Sequence, residues 1–125
     1  MKKAALLLFL AVPILQASAQ LAPADRQVLD SVSGRVIHYL QQKQADSIYS
    51  LAGENFRKQL SAADFRNILE GQVYPLNDFG KVSFVKNIQS VNKYRVEGSP
   101  ELQLLIGLDA DHRLETFLIQ PYQDD

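Results

Sequence analysis

The chain has 125 residues, with 13 Lys and Arg against 14 Asp and Glu and a formal net charge of −1. It contains no cysteine, which excludes disulfide stapling, thiol chemistry, thiolate metal sites and lipid attachment through a cysteine. The basic residues are scattered along the chain, so the charge balance offers no electrostatic basis for binding nucleic acid or an anionic membrane surface.

Residues 1–19 read as a secretory signal peptide. Lys2 and Lys3 form a positive start, Ala4 to Leu15 is an uncharged apolar run interrupted by Pro13, and Ala17-Ser18-Ala19 is a small-x-small cleavage site. A run of about a dozen apolar residues is too short for a membrane span, which needs roughly 20, and no second such run follows. The expectation is an exported protein, periplasmic or secreted, with no membrane span after cleavage and no lipid anchor. Cleavage after Ala19 leaves residues 20–125 as a single domain. Losing the two lysines shifts the balance to 11 basic against 14 acidic residues, a net charge of −3.

From Asp25 to about Gln42 the spacing is helical. At 100° per residue, Val28, Leu29, Val32, Val36, Tyr39 and Leu40 fall within an arc of about 120°, with Arg35, His38 and Gln42 opposite. A short helix is expected from Asp46 to Leu51, with Ile48 and Leu51 inward and Asp46 as its cap. Asn55 to Leu60 continues as a further turn carrying Phe56 and Leu60. Ser61 reads as the cap of a helix bearing Phe65, Ile68 and Leu69, with Asp64 three residues on in place of the usual Glu or Gln. That helix stops near Gly71 or Gln72, ahead of Pro75.

After Pro75 the period changes to two. Val82 and Phe84 alternate with Lys81 and Ser83, and Tyr94 and Val96 with Lys93, Arg95 and Glu97. Gly98-Ser99-Pro100 marks a turn. Leu102, Leu104, Ile106 and Leu108 share one face, with Leu105 on the other. Asp109-Ala110-Asp111-His112 forms a tight turn. Arg113 to Gln120 returns with Leu114 and Leu118 on one side and Phe117 and Ile119 on the other. Helices followed by an antiparallel meander predict an α+β fold, N-terminal helices packed on a bent antiparallel sheet of about four strands. Leu105, Phe117 and Ile119 are expected to leave apolar area on the sheet's outer face.

Catalytic patterns are sparse. Ser83-Phe84-Val85-Lys86 matches the S-x-x-K of serine β-lactamases, but that chemistry needs the serine at the start of a helix. Here the pattern sits in a strand, where residues three apart are expected on opposite faces. His38 falls on the wet face of the first helix. His112 sits in a turn whose aspartates serve local backbone hydrogen bonds. Glu54, Asp64 and Glu70 are accounted for by capping or solvent. Tyr39, Tyr49, Phe56, Phe65, Tyr74, Phe79 and Tyr94 read as core, with a ligand pocket as the alternative. No nucleophile elbow, phosphate loop, dinucleotide fingerprint or H-E-x-x-H is present. The reading is of a non-enzyme with no catalytic, cofactor-binding or metal residues and no cofactor.

The stretch from about Val28 to Tyr122 resembles a domain-of-unknown-function family found at the N-terminus of secreted bacterial serine hydrolases. The likeness is carried by Ala45-Asp46-Ser47-Ile48-Tyr49-Ser50-Leu51, Phe56-Arg57-Lys58-Gln59-Leu60-Ser61, Phe65-Arg66, Leu108-Asp109-Ala110-Asp111-His112-Arg113-Leu114-Glu115-Thr116-Phe117 and Gln120-Pro121-Tyr122. These are packing and turn motifs, and the family supplies no catalytic residues to carry over. The resemblance implies a nuclear-transport-factor-2-like (cystatin-like) architecture, three helices closing a cone over a bent sheet. It also implies an accessory role beside a hydrolase through substrate-side binding, spacing or dimerisation. The partners expected are a second copy through the sheet face or a separately encoded hydrolase. The alternatives are a small-ligand carrier or enzyme using the cone pocket, and a fragment of a longer hydrolase gene, since the hydrolase usual in the family does not follow Asp125.

Overall fold

The computed structural model describes residues 23–124. The expected signal peptide, residues 1–19, lies outside the described residues. Four helices precede four strands: α1 (Pro23–Gln41), α2 (Ala45–Tyr49), α3 (Glu54–Gln59) and α4 (Ala62–Ile68), then β1 (Val82–Ile88), β2 (Val91–Val96), β3 (Leu102–Leu108) and β4 (Leu114–Pro121). The strands form an antiparallel meander in the order β1-β2-β3-β4. The expected α+β class and four-strand sheet are what the chain adopts.

Helix α1 buries Leu29, Val32, Val36 and Leu40, as its spacing requires. It also buries Ile37 and Ser33, which broadens the stripe beyond the expected arc. Helix α2 departs from expectation at its start. Gln44 is the N-cap residue and makes no side-chain cap bond, while Asp46 lies within the first turn and pairs with Arg66 at 2.7 Å. Ser61 caps α4 as expected, its hydroxyl accepting the Asp64 N–H at 3.1 Å. Helix α4 runs on into a π-helical turn, Leu69–Val73, which turns Leu69 and Val73 into the core.

One core joins the two halves. Ile48, Phe56, Phe65 and Leu69 from the helical half meet Tyr94, Leu104, Ile106 and Phe117 from the sheet. Phe65 bridges the halves, with its ring 5.7 Å from both Phe56 and Phe117. The edge of β4 is closed by the segment ahead of α3. Ala52 bridges Leu114, the Gly53 N–H donates to Leu114 O at 2.8 Å, and the Leu114 N–H donates to Leu51 O at 2.8 Å.

Two β-bulges overturn two expectations. The first falls between Gly107 and Leu108, where Gly107 pairs with Thr116 but Leu108 with Leu114. The extra residue shifts the alternation of β4, so Leu114, Phe117 and Ile119 all face the helices and are buried. Phe117 and Ile119 are therefore core rather than outer-face residues, and Leu118 joins Leu105 outside, paired with it directly. The second bulge falls between Phe84 and Lys86. Ser83 pairs with Arg95 and Lys86 with Lys93, two residues apart on β2, so both lie on the outer face and not on opposite faces.

Candidate functional site

The outer face of the sheet, opposite the helices, is the candidate site. Its residues follow from the register. One row runs Lys86–Lys93–Leu105–Leu118, and the next contains the pairs Ile88–Val91 and Gly107–Thr116. Val85 and Ile88 are the exposed large hydrophobics of the chain among the described residues, at 36% and 44%. With half-buried Leu105, Leu118 and Val91 they make one half of the face apolar. Gly107 belongs here for a steric reason. A Cβ at this position would stand 2.8 Å from the backbone oxygen of Ser90, so only glycine lets the β1–β2 turn approach β3.

The other half of the face is polar and partly covered. Arg95 pairs with Gln103 and Gln103 with Gln120. After β4 the chain folds back over this row. The Tyr122 ring lies 4.5 Å from Lys93 Nζ and 4.4 Å from the Arg95 guanidinium carbon. Lys93 Nζ donates to Gln123 O at 2.6 Å, and the Gln123 N–H donates to Gln103 Oε1 at 3.0 Å. Lys93 and Gln103 are consequently only 3% and 4% exposed. No periodicity signals this arrangement, because it joins a strand pair to a tail.

On the helical side a polar cluster sits between α1 and β2. The Tyr94 hydroxyl donates to Asp30 Oδ1 at 2.5 Å, and Asp30 pairs with Arg26 at 3.0 Å. The Arg26 guanidinium in turn lies 3.8 Å over the Phe84 ring, which meets Tyr94 edge-on at 5.4 Å. Burial first, then the bond to Asp30, holds the Tyr94 phenol well above its ordinary range, with buried Ser33 acting in the opposite direction. Asn92, also buried and inward, accepts from Asn87 Nδ2 at 2.7 Å and donates to Ile106 O at 3.2 Å.

A third grouping brings sequence motifs together around the β3–β4 turn. Asp109 Oδ1 accepts the N–H groups of Asp111 and Arg113 at 2.8 and 3.0 Å, the local turn bonding expected of it. Arg113 and Arg57 converge on the carbonyls after α2. Arg113 donates to Ser50 O at 2.9 Å and Ala52 O at 3.3 Å, and Arg57 to Tyr49, Ser50 and Ala52 oxygens at 3.2–3.3 Å. The distant stretches Ala45–Leu51, Phe56-Arg57 and Asp109–Arg113 thus form one latch beside an open cleft of about 470 Å³.

The remaining sequence candidates stay apart. His38 is exposed on α1. His112 is exposed in the turn, with Nε2 4.0 Å from Asp25 Oδ1. Ser83 lies in strand β1 and is exposed, without the helix start that S-x-x-K chemistry requires. The aromatic residues Phe56, Phe65, Phe79 and Tyr94 are buried in the core, and Tyr39, Tyr49 and Tyr74 pack partly buried against it. Among the described residues no group of three or more His, Asp or Glu side chains stands close enough to hold a metal ion, and no helix is long and apolar enough to cross a membrane.

Compared with family models, curated proteins and solved structures, the chain finds no significant match.

Proposed function

We propose that this chain is an exported, non-catalytic accessory domain that binds another protein through the outer face of its sheet, in the first instance a second copy of itself. The observation that carries this reading is the apolar half of that face, Ile88, Val91, Leu105 and Leu118, with the exposed bulge residue Val85 beside it, on the side away from the helices. Apolar side chains gathered on one face and left in water are stabilised by a partner that covers them. The signal-like pattern of residues 1–19 supports export. The resemblance to domains that precede secreted serine hydrolases, with their nuclear-transport-factor-2-like cone, supports an accessory role. A separately encoded hydrolase is the other partner of suitable kind.

Light scattering on residues 20–125 tests the homodimer. The expected result is a dimer at high protein concentration that becomes a monomer in Leu105→Glu, with unchanged far-ultraviolet circular dichroism. A strict monomer at high concentration removes self-association from the proposal.

A second reading, a small-ligand carrier or enzyme working from the helical side of the sheet, draws on the Ser33–Tyr94–Asp30 cluster. It predicts a small molecule whose binding is lost in Tyr94→Phe while the fold is kept. Thermal-shift screening against small polar molecules, with the variant as control, checks it.

A further inference from the structure

A lysine on the solvent side of a sheet ordinarily reaches into water. Lys93 does not. It is 3% exposed, although no helix among the described residues packs on that face of its strand. Among the groups that meet it are two from the segment after β4, the Tyr122 ring and the Gln123 carbonyl. A buried ammonium is costly unless hydrogen bonds replace its lost water, so the cover is an integral part of this face.

The contacts have the form of peptide recognition. The segment presents main-chain groups at successive residues: the Tyr122 N–H donates to Glu101 O at 2.9 Å, the Gln123 N–H to Gln103 Oε1, and Gln123 O accepts from Lys93. Side-chain choice enters at Tyr122, whose ring lies within 4.5 Å of both cations, while Arg95 also pairs with Glu101 at 3.4 Å. The sequence that follows is acidic, Asp124 and Asp125, and complements the two cations in charge. Two of these main-chain groups bond side chains of the sheet face and one bonds the backbone beside β3, so the row meets an extended backbone while the tyrosine position adds side-chain selectivity.

We propose that Lys93, Arg95 and Gln103 form a cradle for an extended peptide in which an aromatic residue precedes acidic ones, and that Tyr122–Asp124 occupies it in cis. The chain's own segment then competes with any partner segment of the same chemistry. Its advantage is that Tyr122 directly follows Pro121, the last residue of β4, which makes cis occupancy intramolecular. The cradle lies on the polar half of the face. It adjoins the apolar half through the Lys93–Leu105 pair, but its test reads Lys93 and not the oligomeric state, so the two proposals fail separately.

The test compares the full chain with one ending at Pro121, which keeps β4 and its pairing to Leu102. Acylation of lysine amines by an activated ester, read by peptide mapping, reports cover over Lys93, with exposed Lys81 as reference. The probe is the synthetic hexapeptide of residues 120–125, Gln-Pro-Tyr-Gln-Asp-Asp. In the full chain Lys93 is expected to react at least about tenfold more slowly than in the shortened chain, because a tethered segment acts at a high effective concentration. Adding the hexapeptide to the shortened chain restores protection, and the same peptide with alanine for tyrosine does not. Equal Lys93 reactivity in both chains, or no protection by the hexapeptide, overturns the proposal. Protection of the full chain that disappears on dilution overturns it as well, since a second copy would then be the cover. If the shortened chain does not fold, Tyr122→Ala in the full chain takes its place, with the same raised reactivity expected and the same hexapeptide rescue.

Discussion

Gly53 stands where the latch around the β3–β4 turn closes. A Cβ there would collide with Asp109 Oδ2 and crowd the Asp109 carboxyl carbon. Gly53→Ala is expected to destabilise the fold by about 1–3 kcal/mol through this overpacking. Chemical denaturation measures it, and adding Asp109→Ala should recover part of the loss. Tyr94 makes a second prediction at this scale. Its phenol is raised above the ordinary value near 10 by burial and by Asp30. A group with a raised folded-state value stabilises fully below its unfolded value and loses that contribution as pH rises toward the folded one. The denaturation midpoint should therefore fall as pH climbs above about 10, and Tyr94→Phe should lack part of that fall. Tyr74, shifted upward by burial and by Glu70, leaves a residual slope. The Tyr94 strand position was legible from alternation. Its bond to Asp30 was not, because the two residues are 64 positions apart.

Elements followed the sequence where a local signal existed. The hydroxyl of Ser61 does cap α4, and the period-two stretches do become β1 to β4. Asp46 failed as a cap because the helix starts at Ala45, which places Asp46 inside the first turn, where its carboxylate pairs with Arg66. The bulges failed to announce themselves for a different reason. An extra residue leaves composition unchanged and moves only the register, so strict alternation assigns Phe117 to the wrong face. The consequence can be measured. Phe117→Ala should cost about 3–5 kcal/mol, as truncation of a buried aromatic does, while Leu118→Ala next to it should cost far less. Urea unfolding of the two variants separates the observed register from the unshifted one, which predicts the reverse order.

At the scale of the whole molecule, helices on one face of an open sheet leave the other face to be dealt with separately. The chain treats its two halves differently. Residues after β4 help bury Lys93 and Gln103 and stack on half-exposed Arg95, whereas Val85 and Ile88 have nothing bonded over them among the described residues. The dimer expected at high concentration, and its loss in Leu105→Glu, belongs to the second half. The slow acylation of Lys93 belongs to the first. Because Leu105 and Lys93 are direct register partners, the two surfaces adjoin. A bulky partner on one would meet the tail on the other.

The sequence by itself determined the α+β class, the order of helices and strands, the wet and dry sides of α1, the Ser61 cap and the turn at Asp109. Each rests on a period or on a residue's bonding to its near neighbours, and both are local. Only the tertiary structure decided which side of β4 is core, that Ser83 and Lys86 share a face, that Arg57 and Arg113 hold the same carbonyls, and that a tyrosine near the end of the chain stacks on two cations of β2. Those facts depend on register and on contacts between residues far apart in the chain, where a one-residue shift reverses a face and no local pattern records it.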